Sequence, residues 1–168
     1  MKISMYQASV PRLANVLENL SRILDKAQAH IDAKKIDVAA LMNARLALDM
    51  YPFFKQVQIA CDKSRSVVAR LAGMEVPWYP DDEKTLGELK QRIARSVEFI
   101  RSVPAEKIDG SEDREIVLPV SGKETRYSGI QMLLGHSLPN VYFHTTVAYS
   151  ILRHNGVDVG KRDFLGNP

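Results

Sequence analysis

Apolar residues recur along this chain at intervals of three and four positions, the spacing of one face of an α-helix. The longest run lies in residues 4–31 and comprises Tyr6, Val10, Leu13, Leu17, Leu20, Leu24, Ala27 and Ile31. Ser4 and Gln7 have the spacing of a capping box at its start, although Pro11 leaves open a kink or a later start. The spacing therefore predicts a first long helix that ends near Lys34.

Two more long helices and a short helical turn are predicted in the first two thirds of the chain. Residues 38–47 suggest a short helical turn, and residues 50–72 carry the next long apolar stripe. Asp49 is the candidate N-cap of this second long helix, with Pro52 in its first turn. The third long helix begins at a capping box, Thr85–Glu88, and continues with apolar residues at helical spacing.

A change of period separates the third helix from the last one. Residues 115–128 alternate around a turn at Ser121–Gly122, and Pro119 cannot donate to a central ladder, so a small surface hairpin is predicted. Residues 129–155 form the fourth helix. Amphipathic helices of this length bury their stripes best against each other. The sequence thus predicts an all-α fold, a four-helix bundle with a short β-hairpin between its third and fourth helices, as one domain over residues 1–168.

Composition narrows the function classes. The chain is 45% hydrophobic and 26% charged, with a net charge of +3 spread along its length. No block of like charges and no basic stripe with aromatic residues favours nucleic-acid binding. No apolar run approaches the roughly 20 residues of a membrane span. The N-terminus lacks the pattern of a signal peptide, and Cys61 is a lone cysteine. We therefore expect a cytoplasmic protein that binds neither nucleic acid nor membrane.

The last helix places two polar side chains on an apolar stripe. Asn140 and His144 share one helical face with Val147 and Ile151. Burying polar groups costs free energy unless they are hydrogen-bonded. Two interpretations remain open: a ligand or metal site that faces the bundle centre, and a hydrogen-bonded polar pair in the core, with or without ordered water.

His136 extends this polar line by four residues. Eight helical residues rise about 12 Å, so His136 and His144 cannot bind one ion. His136 could share an ion with Asn140 only if Pro139 lets the helix continue. We therefore place His136 at the start of the helix or at the mouth of a pocket, as a candidate ligand-binding residue. Tyr142 is a further candidate, with packing in the core or at a dimer face as its alternative.

Three stretches together are similar to a known family: residues 44–56, residues 139–156 and residues 161–166. They resemble a bacterial family of unknown function within the DinB/YfiT-like superfamily, over about residues 3–166. The resemblance implies a four-helix bundle, usually dimeric, with a divalent metal held by three histidines. One of these histidines comes from the second helix and two, four residues apart, come from the last. Some members are thiol-dependent transferases or isomerases, and others are hydrolase-like.

The residues that match these ligand positions are mostly not histidines. The last helix offers Asn140 and His144 where the histidine pair is expected, and the second helix offers Gln56, with Asp49 as another candidate. Three imidazoles suit zinc or nickel, whereas a carboxamide oxygen is a much weaker ligand for these ions. The resemblance therefore implies a pocket at Gln56, Asn140 and His144, whose hold on a metal is poor unless Asp49 or Asp62 supplies charge.

Two hypotheses about function follow. The first is a metal-dependent thiol transferase or hydrolase-like enzyme with zinc or nickel at the central pocket. The second is a non-catalytic homodimer, or a small-ligand binder, that has lost metal binding. No nucleophile elbow, phosphate loop or dinucleotide fingerprint is present in the sequence, so no catalytic residue can be assigned from motifs.

Overall fold

The computed structural model describes residues 3–120 and 122–166, so Ser121 of the predicted turn lies outside the described residues. The elements in chain order are α1 (Met5–Lys34), α2 (Val38–Met42), α3 (Phe53–Leu71), α4 (Leu86–Ser102), α5 (Ala105–Ile108), β1 (Ile116–Val120), β2 (Lys123–Tyr127), α6 (Gly129–Gln131), a π-helical segment (Met132–Ser137), α7 (Leu138–His154) and α8 (Lys161–Leu165).

The four long helices α1, α3, α4 and α7 form a bundle. Each of α1 and α3 packs against both α4 and α7. The apolar stripes meet in the middle, and the side chains buried there include Leu17, Leu24, Phe53, Val67, Leu89, Ile100, Leu133 and Ile151. The predicted four-helix bundle with a hairpin before its last helix is therefore confirmed. Among the residues that the structure describes, no helix is both long enough and apolar enough to cross a membrane.

The start of α1 follows the sequence signal. Ser4 and Gln7 form the predicted capping box, in which the Ser4 hydroxyl accepts from the Gln7 N–H and the Gln7 side chain accepts from the Ser4 N–H. The helix runs through Pro11 without a later start. It ends at Lys35, which has a left-handed backbone with φ 54°.

The start of α3 differs from the prediction. Asp49 is not its N-cap: it is exposed in a turn, and Pro52 is the capping residue, with Phe53 as the first helical residue. The reason is steric, because the ring of a proline disfavours helical backbone in the residue before it. Tyr51 is not helical in the structure, and α3 begins directly after Pro52.

The hairpin lies on the surface with one face turned to the core. Its strands pair antiparallel with Ile116 opposite Tyr127. Ile116 and Leu118 are buried, whereas Val117 between them is 40% exposed. The alternation predicted from the sequence thus attaches the hairpin to the bundle by one side of β1.

The predicted fourth helix contains a π-helical segment. From Met132 to Ser137 the backbone widens, and the N–H of Leu138 donates to the carbonyl of Leu133, five residues earlier. Pro139 follows in the first turn of α7 and has no N–H to offer to an α-helical ladder. The helical path therefore continues through Pro139, but not with regular α geometry.

Candidate functional site

The two site residues predicted on different helices meet where α3 packs against α7. The Nδ1 atom of His144 lies 2.7 Å from Oε1 of Gln56. Gln56 is buried, and its Nε2 donates to the main-chain carbonyl of Tyr51 at 2.9 Å. Gln56 lies in the first turn of α3, so this second bond is local. The amide of Gln56 is therefore hydrogen-bonded through both its nitrogen and its oxygen.

This arrangement determines the tautomer of His144. Because Nε2 of Gln56 donates to Tyr51, its Oε1 faces the imidazole, and an amide oxygen can only accept. Nδ1 of His144 therefore carries the hydrogen. The pKa of His144 is lowered by burial and by the nearby charge of Lys63. A neutral ring with its hydrogen on Nδ1 leaves a lone pair on Nε2, ready to accept a hydrogen bond.

Asn140 lies one turn before His144 but bonds elsewhere. Its Nδ2 donates to the main-chain carbonyl of His136 at 2.7 Å, and its side chain is half-buried. The bond uses the amide nitrogen and leaves Oδ1 as an acceptor. Asn140 and His144 thus present two acceptor atoms along one side of α7, where the sequence predicted a polar pair on a core stripe.

The two remaining ligand-binding candidates, His136 and Tyr142, lie in different places. His136 belongs to the π-helical segment, packs against Tyr127 with 5.6 Å between ring centroids, and lines a cavity of about 130 Å³. Burial and Lys63 lower its pKa as well. Tyr142 is 40% exposed and lies two residues from both Asn140 and His144, which places it on roughly the opposite side of the helix.

The donor set does not fit a zinc or nickel centre. Within residues 3–120 and 122–166, no three His, Cys, Asp or Glu side chains are grouped to hold a metal ion. Gln56 has both ends of its amide in hydrogen bonds, and Asp49 is exposed without a bond to the other three candidates. Asp62 is paired with arginines instead. One imidazole and one carboxamide oxygen remain, which is too weak a set for these ions.

A buried ionic cluster between α3 and α4 was missed by the sequence analysis. Arg92 is only 1% exposed and bonds to Glu83 at 2.8 Å, to Asp62 at 2.7 Å and to Asp81 at 2.9 Å. Arg65 is 2% exposed and bonds to Asp62 at 2.6 Å. These contacts attach the irregular segment before α4 to both helices. Asp62, Asp81 and Glu83 are therefore paired with arginine and are not free for a ligand.

Cys61 belongs to the core beside this cluster. Its side chain is fully buried, and burial raises the pKa of the thiol to about 12, against the opposing charge of Arg92. A thiol nucleophile needs the opposite, an accessible sulfur with a lowered pKa. Cys61 is therefore a packing residue and not a candidate nucleophile.

Known proteins resemble this chain in both sequence and fold. The family described as "Domain of unknown function (DUF1993)" matches residues 5–165. The chain belongs to the DUF1993 family. The crystal structure of a DinB family member protein from Shewanella denitrificans matches the fold of this chain with a TM-score of 0.90. The two sequences are 42% identical, and the match covers 97% of this chain and 92% of that chain. The DinB-like fold predicted from the sequence is thus confirmed. No curated protein matches the DUF1993 chain described here.

Proposed function

We propose that this DUF1993 protein binds a small molecule where α3 meets α7, and that it does so without a transition metal. The observation that supports this proposal is the bond of 2.7 Å between Oε1 of Gln56 and Nδ1 of His144. In the three-histidine arrangement implied by the resemblance, the second-helix residue would bind the metal. Here that residue instead orients the imidazole of His144.

The ligand that suits this arrangement carries hydrogen-bond donors. Nε2 of His144 and Oδ1 of Asn140 are both acceptors, and residues four apart on a helix are separated by a rise of about 6 Å. A small compound with two donor groups, each a hydroxyl, amine or thiol, can donate to both. A thiol or hydroxyl that donates to Nε2 is also placed to lose its proton to the ring, so His144 is the side chain that would act as a base.

The competing candidate is a metal-dependent thiol transferase or hydrolase-like enzyme. It requires zinc or nickel on His144, with Gln56, Asn140 or Asp49 as the other ligands. The contacts of Gln56 and Asp49 argue against this set, because neither directs a free ligand atom at the imidazole of His144. We therefore rank metal-independent binding first.

A homodimer is part of the same proposal. Two large exposed apolar side chains belong to residues next to the Gln56–His144 pair: Tyr51, which bonds Gln56, is 58% exposed, and Phe143, which precedes His144, is 55% exposed. The ring of Phe143 contacts that of His144 edge-on at 5.2 Å between centroids. A second copy of the chain that covers these residues would also shield the imidazole from water.

The metal content of the purified protein distinguishes the two candidates. We expect no stoichiometric zinc or nickel, and nitrogen NMR of the histidine rings should show a neutral His144 with its hydrogen on Nδ1 at pH 7. A ligand-observed NMR screen of hydroxyl, amine and thiol fragments should give hits that are lost in His144→Gln. His154→Gln, at the exposed end of α7, is the matched control.

One equivalent of zinc or nickel that is lost in His144→Gln and kept in His154→Gln would overturn the metal-independent proposal. A ring with its hydrogen on Nε2 would contradict the orientation by Gln56. Fragment hits that survive in His144→Gln would remove His144 from the binding site.

A further inference from the structure

Three polar residues of α3 line two neighbouring cavities at once. Lys63, Ser66 and Arg70 follow one another at intervals of three and four residues, so they lie on one side of the helix. On one flank is a cavity of about 470 Å³ beneath the irregular segment of residues 76–81. On the other is the cavity of about 130 Å³ beneath the hairpin and the π-helical segment. The side chains of Lys63 and Arg70 therefore line both cavities.

The two cations have no acidic partners among the described residues. No carboxylate oxygen of residues 3–120 and 122–166 lies within 4.0 Å of the Lys63 or Arg70 side-chain nitrogens, whereas Arg65, Arg92 and Lys55 all pair with carboxylates. Arg70 donates to the hydroxyl of Ser66 and lies partly desolvated, and burial lowers its pKa. A half-buried pair of like charges is unfavourable unless an anion compensates it.

The smaller cavity has the lining of an oxyanion site. Besides the two cations it presents the hydroxyls of Ser66 and Ser137 and the ring of His136, and none of the described residues in its wall is acidic. Guanidinium and ammonium groups with hydroxyl donors are the groups that bind carboxylate or phosphate oxygens. A volume of about 130 Å³ is large enough for such a head group.

The larger cavity supplies a flat apolar wall. Trp78 and Pro77 line it, and Trp78 is 82% exposed. Tyr79 also lines this cavity, but the guanidinium groups of Arg65 and Arg95 already lie over its ring at 3.8 and 4.2 Å from the centroid. The exposed ring of Trp78 suits a planar ligand that stacks on it.

We propose that this side of α3 binds a small molecule with one oxyanionic group, a carboxylate or a phosphate, held by Lys63 and Arg70, and with a flat apolar body under Trp78. This oxyanion site does not depend on the lone pair of His144. The two proposals can therefore be tested separately, and failure of one does not refute the other.

Trp78 is the sole tryptophan of the chain and gives the experiment its signal. Its fluorescence is followed while the full chain is titrated with phenyl phosphate, benzoate, inorganic phosphate and the neutral benzamide. Phenyl phosphate, benzoate or both should change the emission saturably, and benzamide should not. Lys63→Gln and Arg70→Gln should each weaken binding by at least about tenfold, because each removes a charged hydrogen bond.

The controls separate a built site from general attraction of anions to a basic protein. Lys90→Gln removes one lysine of α4 and should leave the affinity unchanged, as should His154→Gln at the exposed end of α7. Circular dichroism and thermal unfolding show whether Arg70→Gln still folds; if it does not, Lys63→Gln decides.

Binding of phenyl phosphate alone assigns a phosphate ester, and binding of benzoate alone assigns a carboxylate. The proposal is overturned if benzamide binds as well as benzoate, if Lys90→Gln weakens binding as much as Lys63→Gln, or if no anion saturates at millimolar concentration. If inorganic phosphate saturates and neither aromatic anion does, the apolar half of the site is refuted.

Discussion

The imidazole of His144 is less basic in the folded chain than in water, because it is half-buried and lies near Lys63. Its pKa in the unfolded chain is the ordinary 6.5, so below that pH the unfolded state binds a proton more readily than the folded state does. By linkage, the stability associated with His144 is complete above pH 6.5 and declines as the pH falls from there toward its folded pKa.

Urea unfolding at several pH values tests this at the level of the residue. His144→Gln should show a weaker loss of stability between pH 7 and pH 5 than the native chain, since glutamine has no proton to gain. His154→Gln controls for the removal of one histidine. An unchanged pH dependence in His144→Gln would contradict the lowered pKa.

The sequence predicted which residues meet at this site better than it predicted how they meet. Helical spacing placed Asn140 and His144 on one face, and the family resemblance pointed to Gln56 on the facing helix. The tautomer of His144 depends on the carbonyl of Tyr51, which orients the Gln56 amide. Tyr51 lies in the non-helical segment before Pro52, so helical spacing does not predict the direction of its carbonyl.

At the level of the elements, Arg92 holds α4, α3 and the segment before α4 together. It is buried and donates to Glu83 and Asp62 and to the carbonyl of Pro80. Replacing it with methionine should cost about 3 kcal/mol or more of unfolding free energy, because the carboxylate of Glu83 would remain buried without its cation. Adding Glu83→Gln should recover part of this loss. Chemical denaturation measures both variants.

A surface ion pair on the same helix provides the comparison. Lys90 pairs with Asp25 where both side chains are exposed to water, and such pairs contribute only about 0–1 kcal/mol. Lys90→Met should therefore change stability little. The role assigned to Arg92 is wrong if its replacement costs no more than that of Lys90.

The sequence contains a signal for the cluster around Arg92 that the apolar stripes alone do not show. Arg92 and Ser96 are four residues apart and lie next to Leu89 and Ile93 in the apolar stripe of α4. Cys61 and Arg65 have the same relation to the stripe of α3. Two arginines that flank the stripes of two facing helices indicate a buried ionic contact. Their acidic partners come from a segment without periodicity, so spacing could not identify them.

For the whole molecule, the bundle itself was predictable because long amphipathic stripes have few other ways to be buried. The capping boxes at Ser4 and Thr85 fixed two helix starts, and both are present in the structure. The single domain over residues 1–168 and the cytoplasmic location stay predictions. The homodimer also stays a prediction, because exposed apolar side chains do not identify the surface that covers them.

Light scattering after size exclusion tests the proposed homodimer. The native chain should elute with twice the monomer mass of 18.9 kDa, and Phe143→Ser combined with Tyr51→Ser should shift it toward the monomer. Leu165→Ser, another exposed apolar residue but on α8, is the matched control. A native chain that is monomeric, or a control that dissociates equally, would contradict a dimer through this face.

The widened turn at Met132–Ser137 also affects how this chain should be aligned with others. A turn that closes on the fifth residue holds one residue more than an α-helical turn, so a homologue with regular geometry there would need a one-residue gap. An alignment that omits the gap shifts every position on one side of it by about 100° around the helix. His136 would then be compared with the wrong column, while Asn140 and His144, both beyond the turn, would keep theirs.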